Sequence, residues 1–176
     1  PMVRGRLVAR NNQQIGAEDY EDARAQRLIE REFNLSYTDQ LPEPGQIISG
    51  RALNPKANEV SLEVGLAKSL KLSLGDRLEF DVAGQPVTVE VTSLRKVNWD
   101  SMRANFFAIM TTQSLSDAPR TWITAFRLPE NQTTLLQDLV RTYPNLTVFD
   151  VGAIMSQLQT ILDKVSAAVQ GLFLFS

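Results

Sequence analysis

The 176-residue sequence contains neither histidine nor cysteine. No Ser-His-Asp or Cys-His relay can therefore exist, and neither imidazole nor thiolate is available to hold zinc, haem or an iron–sulfur cluster. Any catalysis would rest on carboxylates, Lys, Tyr, Ser or Thr. The lack of cysteine also sets aside the small disulfide-stapled secreted class, while suiting cytosol and periplasm equally. An excess of one charge is missing too. With 18 basic and 20 acidic residues the formal net charge is -2, so the long-range field that draws a protein onto nucleic acid is not expected. The nine glycines are scattered singly, and none opens a phosphate-cradling loop followed by a Lys-Ser/Thr pair. No apolar run reaches the roughly 20 residues that span a bilayer. The start at Pro1 shows no charged, apolar and small-residue succession of a signal peptide.

What is present is organised in three textures. In the first, Val3, Leu7 and Ala9 alternate with Arg4, Arg6 and Arg10, as in a half-buried strand over residues 2–10. The acidic patch at 18–22 reads as a solvated loop or short helix. Ile29, Arg31, Phe33, Leu35 and Tyr37 then share one parity, which predicts a strand over about 27–38, although 24–31 also holds good helix formers. Pro42, Pro44 and Gly45 mark a boundary.

The middle, 46–110, reads as short strands with tight turns. Val60 and Leu62 lead into a helical stretch over 64–70, closed by Leu74-Gly75-Asp76. Leu78, Phe80 and Val82, then Val87, Val89 and Val91, form the two arms of a hairpin about Ala83-Gly84-Gln85-Pro86. Residues 94–99 and 106–110 are two further candidate strands, which together suggest a small, strongly curved antiparallel sheet or barrel. The carboxylates Glu79, Asp81 and Glu90 lie on the polar parity of the hairpin and read as a solvated face. Lys68 and Ser69 are adjacent, so on a helix they diverge by about 100°, against a Ser-Lys dyad.

In the last third, 121–128 reads as a strand with Trp122, Thr124, Phe126 and Leu128 on one face. Residues 129–141 read as a helix with an apolar stripe of Leu135, Leu136, Leu139 and Val140, and 146–151 as another strand. Strand, helix, strand is a βαβ unit. From Ile154 to Leu172 apolar residues recur on one helical face, Asp150 stands at the N-terminus, and the polar face ends after Gln170. Such a helix fits a stalk entering a membrane, or a terminal helix packed on its own domain.

One loop is chemically distinctive. Residues 96–107 concentrate Trp99, Met102, Phe106 and Phe107 beside polar groups. They are the candidate surface for a lipid-like substrate or a partner subunit; the alternative is that Trp99 and Phe106 plug one end of the barrel.

The run formed by Ala67 to Leu70, Leu74-Gly75-Asp76-Arg77-Leu78-Glu79-Phe80, Val82 to Val89 and Leu94 to Phe107 resembles the extracytoplasmic domain of bacterial ABC transporter permeases of the MacB, LolC/LolE and FtsX type, most of all the YbbP-like permeases. The resemblance implies an α+β domain of a bacterial inner-membrane protein, placed in the periplasm. A discontinuous porter-like α/β lobe is expected from 1–45 and 111–151, an inserted β-rich lobe from 46–110, and a stalk from 152–176 running into a truncated transmembrane helix. It also implies a cytoplasmic ABC ATPase as partner, through a membrane part absent from this chain, and a second permease copy or pseudo-symmetric half. Export or extraction of hydrophobic or lipid-like compounds would be coupled to ATP hydrolysis by periplasmic movement. The alternative is a module that binds a periplasmic protein and regulates an extracytoplasmic enzyme such as a cell-wall hydrolase. No catalytic residue, metal or cofactor is implied for this domain, which is expected not to be an enzyme.

Overall fold

The computed structural model describes residues 1–41, 46–99, 103–129 and 133–174. The boundary expected at Pro42, Pro44 and Gly45 lies outside them, as does Met102. The chain divides into two compact units, Pro1–Phe126 and Arg127–Ser176.

The first unit is a closed barrel of six strands. Strands β1 (Val3–Arg10), β3 (Phe33–Tyr37), β5 (Glu59–Glu63), β6 (Arg77–Val82), β7 (Gln85–Lys96) and β8 (Ala108–Met110) close it in the order β1-β3-β8-β5-β7-β6 and back to β1. Two short strands extend it, β2 (Gln13–Gln14) on β1 and β4 (Gln46–Gly50) on β7. Closure leaves no free ladder edge within the ring, which removes the main hazard of a small sheet. The barrel is mixed rather than antiparallel, because β3 pairs β8 and β5 pairs β7 in parallel. A parallel neighbour needs a crossover. Between β5 and β7 it is supplied by α2 (Val64–Ser69) and the β6 arm.

The division expected at residues 45 and 110 is not the one seen. Strand β1 is hydrogen-bonded to β6 and β3 to β8, so β1 and β3 build one ring and one core with β5, β6, β7 and β8. Alternation of buried side chains reports which face is apolar, but not which strand lies alongside. Phe33, Leu35, Leu62, Leu78, Phe80 and Met110 meet inside. Several polar groups there are matched: Ser93 Oγ donates to Ser61 Oγ at 2.8 Å, and Thr111 Oγ1 donates to the Ala57 carbonyl at 2.7 Å.

The strand expected over 27–38 divides into helix and strand. Helix α1 occupies Ala23–Glu30, and β3 starts at Phe33. Asp22 caps it by accepting the Ala25 N–H at 3.0 Å, and Ala25 and Ile29, four residues apart, face the core. The parity of Ile29 and Arg31 with Phe33 is therefore a coincidence of two periods. The acidic patch forms a 3-10 turn over Ala17–Asp19, and Tyr20 beside it is buried, its hydroxyl donating to the Leu70 carbonyl at 3.3 Å.

Two carboxylates tie turns to the ring. Asp76 of the Leu-Gly-Asp turn accepts from Ser73 N–H at 2.7 Å and Asn11 Nδ2 at 2.8 Å, and pairs with Arg10 at 2.9 Å. Burial alone would raise its pKa; these donors outweigh it and hold the carboxyl below its ordinary value. Glu59 receives both Arg51 nitrogens, at 2.9 and 2.6 Å, and the Asn54 N–H at 2.7 Å. The Arg51 hydrogen bonds lower its pKa chiefly, against burial that raises it. Gly50 lies at φ +88, and a Cβ there would stand 2.1 Å from the Thr92 carbonyl oxygen, so β4 can end against β7 only with glycine.

The second unit contains helix α4 (Thr133–Thr142) and helix α5 (Val151–Leu174). A short helix α3 (Thr112–Leu115) precedes both and belongs to the barrel unit. The helix expected over 129–141 is α4, with 130–132 outside the described residues. Among the described residues, the strands expected on either side of it do not form. Residues 121–129 make only the single bridge Thr121 to Met2, and 146–150 form no ladder among the described residues. Apolar alternation offers a strand, but pairing makes one. Trp122 is 73% exposed and Phe149 73% exposed in consequence. Helix α5 begins where Asp150 accepts the Ala153 N–H at 2.9 Å, as its position predicts. Every described side chain of α5 from Val151 to Ser166 is exposed. No described helix is long and apolar enough to cross a membrane, so the expected transmembrane continuation is not found among these residues.

Candidate functional site

The aromatic loop is held by its backbone. Strand β7 delivers Arg95, whose guanidinium is buried and donates to the Phe106 carbonyl. The Glu63 N–H donates to the Phe107 carbonyl at 2.7 Å, and Asn105 Nδ2 to the Asn98 carbonyl at 2.9 Å. Both ends of the loop are thereby fixed to the barrel wall. Burial pushes the Arg95 pKa down to about 10, with the nearby Glu63 charge opposing that fall. Arg95 Nε has no hydrogen-bond partner among the described residues. Such a group costs stability, and its return is the position of Phe106 and Phe107.

Of the four residues singled out in the sequence, three are described. Phe107 is half-buried and meets Phe33 edge-on, ring centres 6.3 Å apart at 71°. Trp99 also tilts onto Phe107, at 4.6 Å and 46°, yet stays 47% exposed. Phe106 is half-buried, and Met102 lies outside the described residues. Trp99 is thus the outer member of a stack, Trp99 on Phe107 on Phe33, whose inner member belongs to the core.

Helix α1 adds residues that periodicity alone did not select. Arg24, Arg27, Leu28 and Arg31 fall at i, i+3, i+4 and i+7, one side of α1 and its C-terminal cap. The Arg31 guanidinium carbon lies 5.6 Å from the Phe33 ring centre and 5.4 Å from that of Phe107, within cation–π range. Together with Glu30, Leu66 and Phe107, these residues line an open cleft of about 640 Å³. Their signal is the arginine spacing at 24, 27 and 31, which aligns on one side only in a helix.

Other chemistry is sparse. Glu79 and Asp81 are half-buried and Glu90 exposed along the hairpin, where Asp81 accepts the Gly84 N–H at 2.9 Å in the turn. Among the described residues no group of three or more Asp or Glu could hold a metal ion.

No family model matches the chain, and no solved structure matches it. Over 159 residues, 90% of its length, it is 40% identical to an uncharacterized ABC transporter permease, YbbP, of Escherichia coli (strain K12). The chain spans 19% of that relative. An identity of that size over nine tenths of the chain supports an ABC permease-like domain.

Proposed function

We propose that this chain is the periplasmic domain of an ABC transporter permease, and that it turns ATP hydrolysis in a partner subunit into periplasmic movement for export or extraction of hydrophobic, lipid-like compounds. The observation that carries the reading is helix α5. Its 24 residues reach about 36 Å at 1.5 Å per residue. Ile154, Met155, Leu158, Ile161, Leu162 and Val165 all stand exposed along it. A solitary surface helix turns its apolar side inward; one exposing this much suits contact with the remainder of a larger permease, of which this chain spans a small part. A capped, continuous helix is also a stiff element, suited to passing rigid-body motion between a membrane part and the barrel. In this reading α4 and the apolar segment 146–151 belong to a porter-like lobe completed by other permease segments. The Trp99, Phe106 and Phe107 loop is the side toward substrate.

The test breaks the stiffness without touching the barrel. Thr160→Pro in the full permease with its ATPase removes a mid-helix N–H and disfavours the helix by about 3 kcal/mol. ATP hydrolysis should persist while transport falls at least tenfold, with Thr160→Ala near wild type. Transport by Thr160→Pro at the wild-type rate would overturn the coupling role.

A further inference from the structure

The cleft beside α1 has a definite chemical character. Its floor is apolar, from Leu28, Leu66 and Phe107, and its rim carries Arg24, Arg27 and Arg31 against the single carboxylate Glu30. The ion pairs seen among the described residues are Arg10 with Asp76 and Arg51 with Glu59. None of the three rim arginines takes part in one, although Glu21, Glu30 and Glu32 are close in sequence. Arg31 is instead held by the Phe33 and Phe107 rings, which places a guanidinium over the apolar floor with hydrogen-bond donors to spare. In a protein of net charge -2, a surplus of two positive charges at one apolar cleft is a local departure from the average.

We infer that this cleft binds an anionic single-chain amphiphile, with its phosphate or carboxylate head on Arg24, Arg27 and Arg31 and its alkyl chain along Leu28, Leu66 and Phe107. A guanidinium matches both head groups, since its paired N–H donors meet two oxygens at once. The cleft volume of about 640 Å³ falls within the roughly 300–1,000 Å³ of small-molecule sites, which favours one amphiphile over a folded partner. Trp99, tilted on Phe107 at 4.6 Å, extends the apolar path outward from the floor. The inference deepens the reading of the aromatic loop as the substrate side and rests on it for the ligand's passage, not for the binding itself.

The test uses the full permease in phosphatidylcholine nanodiscs and a diazirine-bearing dodecyl phosphate as photoprobe, with labelled residues mapped by mass spectrometry. Label is expected on Leu28, Leu66 and Phe107. It should fall at least tenfold in Arg24→Glu/Arg27→Glu, whose side chains are exposed, and stay unchanged in Arg4→Glu on the outer side of β1. The matching dodecyl phosphocholine probe should label these residues at least tenfold less, and 1 mM inorganic phosphate should not displace the probe. Equal labelling by the phosphocholine probe, indifference to the double charge reversal, or label only elsewhere would overturn the site. Displacement by inorganic phosphate would reduce it to a bare anion site and overturn the amphiphile. Labelling reads binding, whereas Thr160→Pro reads coupling, so either can fail while the other stands.

Discussion

The barrel and the second unit draw on the same apolar vocabulary and put it to opposite use. In the barrel, Leu35, Leu62, Leu78, Phe80 and Val91 are sealed inside a ring whose strands all find partners. In the second unit, Tyr143, Leu146, Phe149, Ile154 and Leu162 are exposed, and the extended stretch between α4 and α5 pairs with nothing described. The difference shows that apolar content does not by itself make a core. A ring of strands encloses its inner face, whereas two helices and an unpaired stretch need another surface.

The largest effect that sharpens this contrast is a pair of matched truncations. Phe80→Ala empties a fully enclosed site and should cost about 3–5 kcal/mol, read by chemical unfolding of the chain. Phe149→Ala removes a ring that is 73% exposed and should change stability by no more than about 0.5 kcal/mol. A comparable cost at both positions would dissolve the distinction.

A smaller effect concerns acid. Glu59 and Asp76 both have lowered pKa values in the folded barrel. A depressed carboxyl stabilises the fold above its unfolded pKa, and that contribution is lost as pH falls through the folded value. The gap in unfolding midpoint between wild type and Glu59→Gln should therefore be full at pH 7 and narrow below about pH 4.5, the ordinary value for this group. A gap that does not change down to pH 3 would remove Glu59 from the account. The smallest effect lies in the β6–β7 turn, where Ala83 adopts φ 51 and Gly84 φ 81. Two-residue hairpin turns of this hand favour Asn-Gly. Ala83→Asn should raise barrel stability by a few tenths of a kcal/mol, up to about 1, seen as a higher Tm.

Much of the barrel was legible. The period-two runs at 3–10, 78–82 and 87–91 are β1, β6 and β7, and the short helix after Leu62 is α2. What alternation does not carry is partnership, so the closure of β1 on β6 and β3 on β8 escaped, and with it the single core. The same limit explains 121–128 and 146–151, where the pattern of a strand is present and no ladder forms among the described residues. At the candidate site Trp99 and Phe107 stood out by composition. The arginine row of α1 did not, because Arg24, Arg27 and Arg31 become neighbours only once 23–30 is helical.

The contrast between a self-sealed barrel and an apolar helix awaiting contact is tested most directly by hydrogen exchange on α5 in the intact permease with its ATPase. Amides from Ser156 to Val169 should be strongly protected there and at least tenfold less so in the isolated chain, while β5 and β7 are equally protected in both. Rapid exchange across Ser156 to Val169 in the intact transporter would contradict the account.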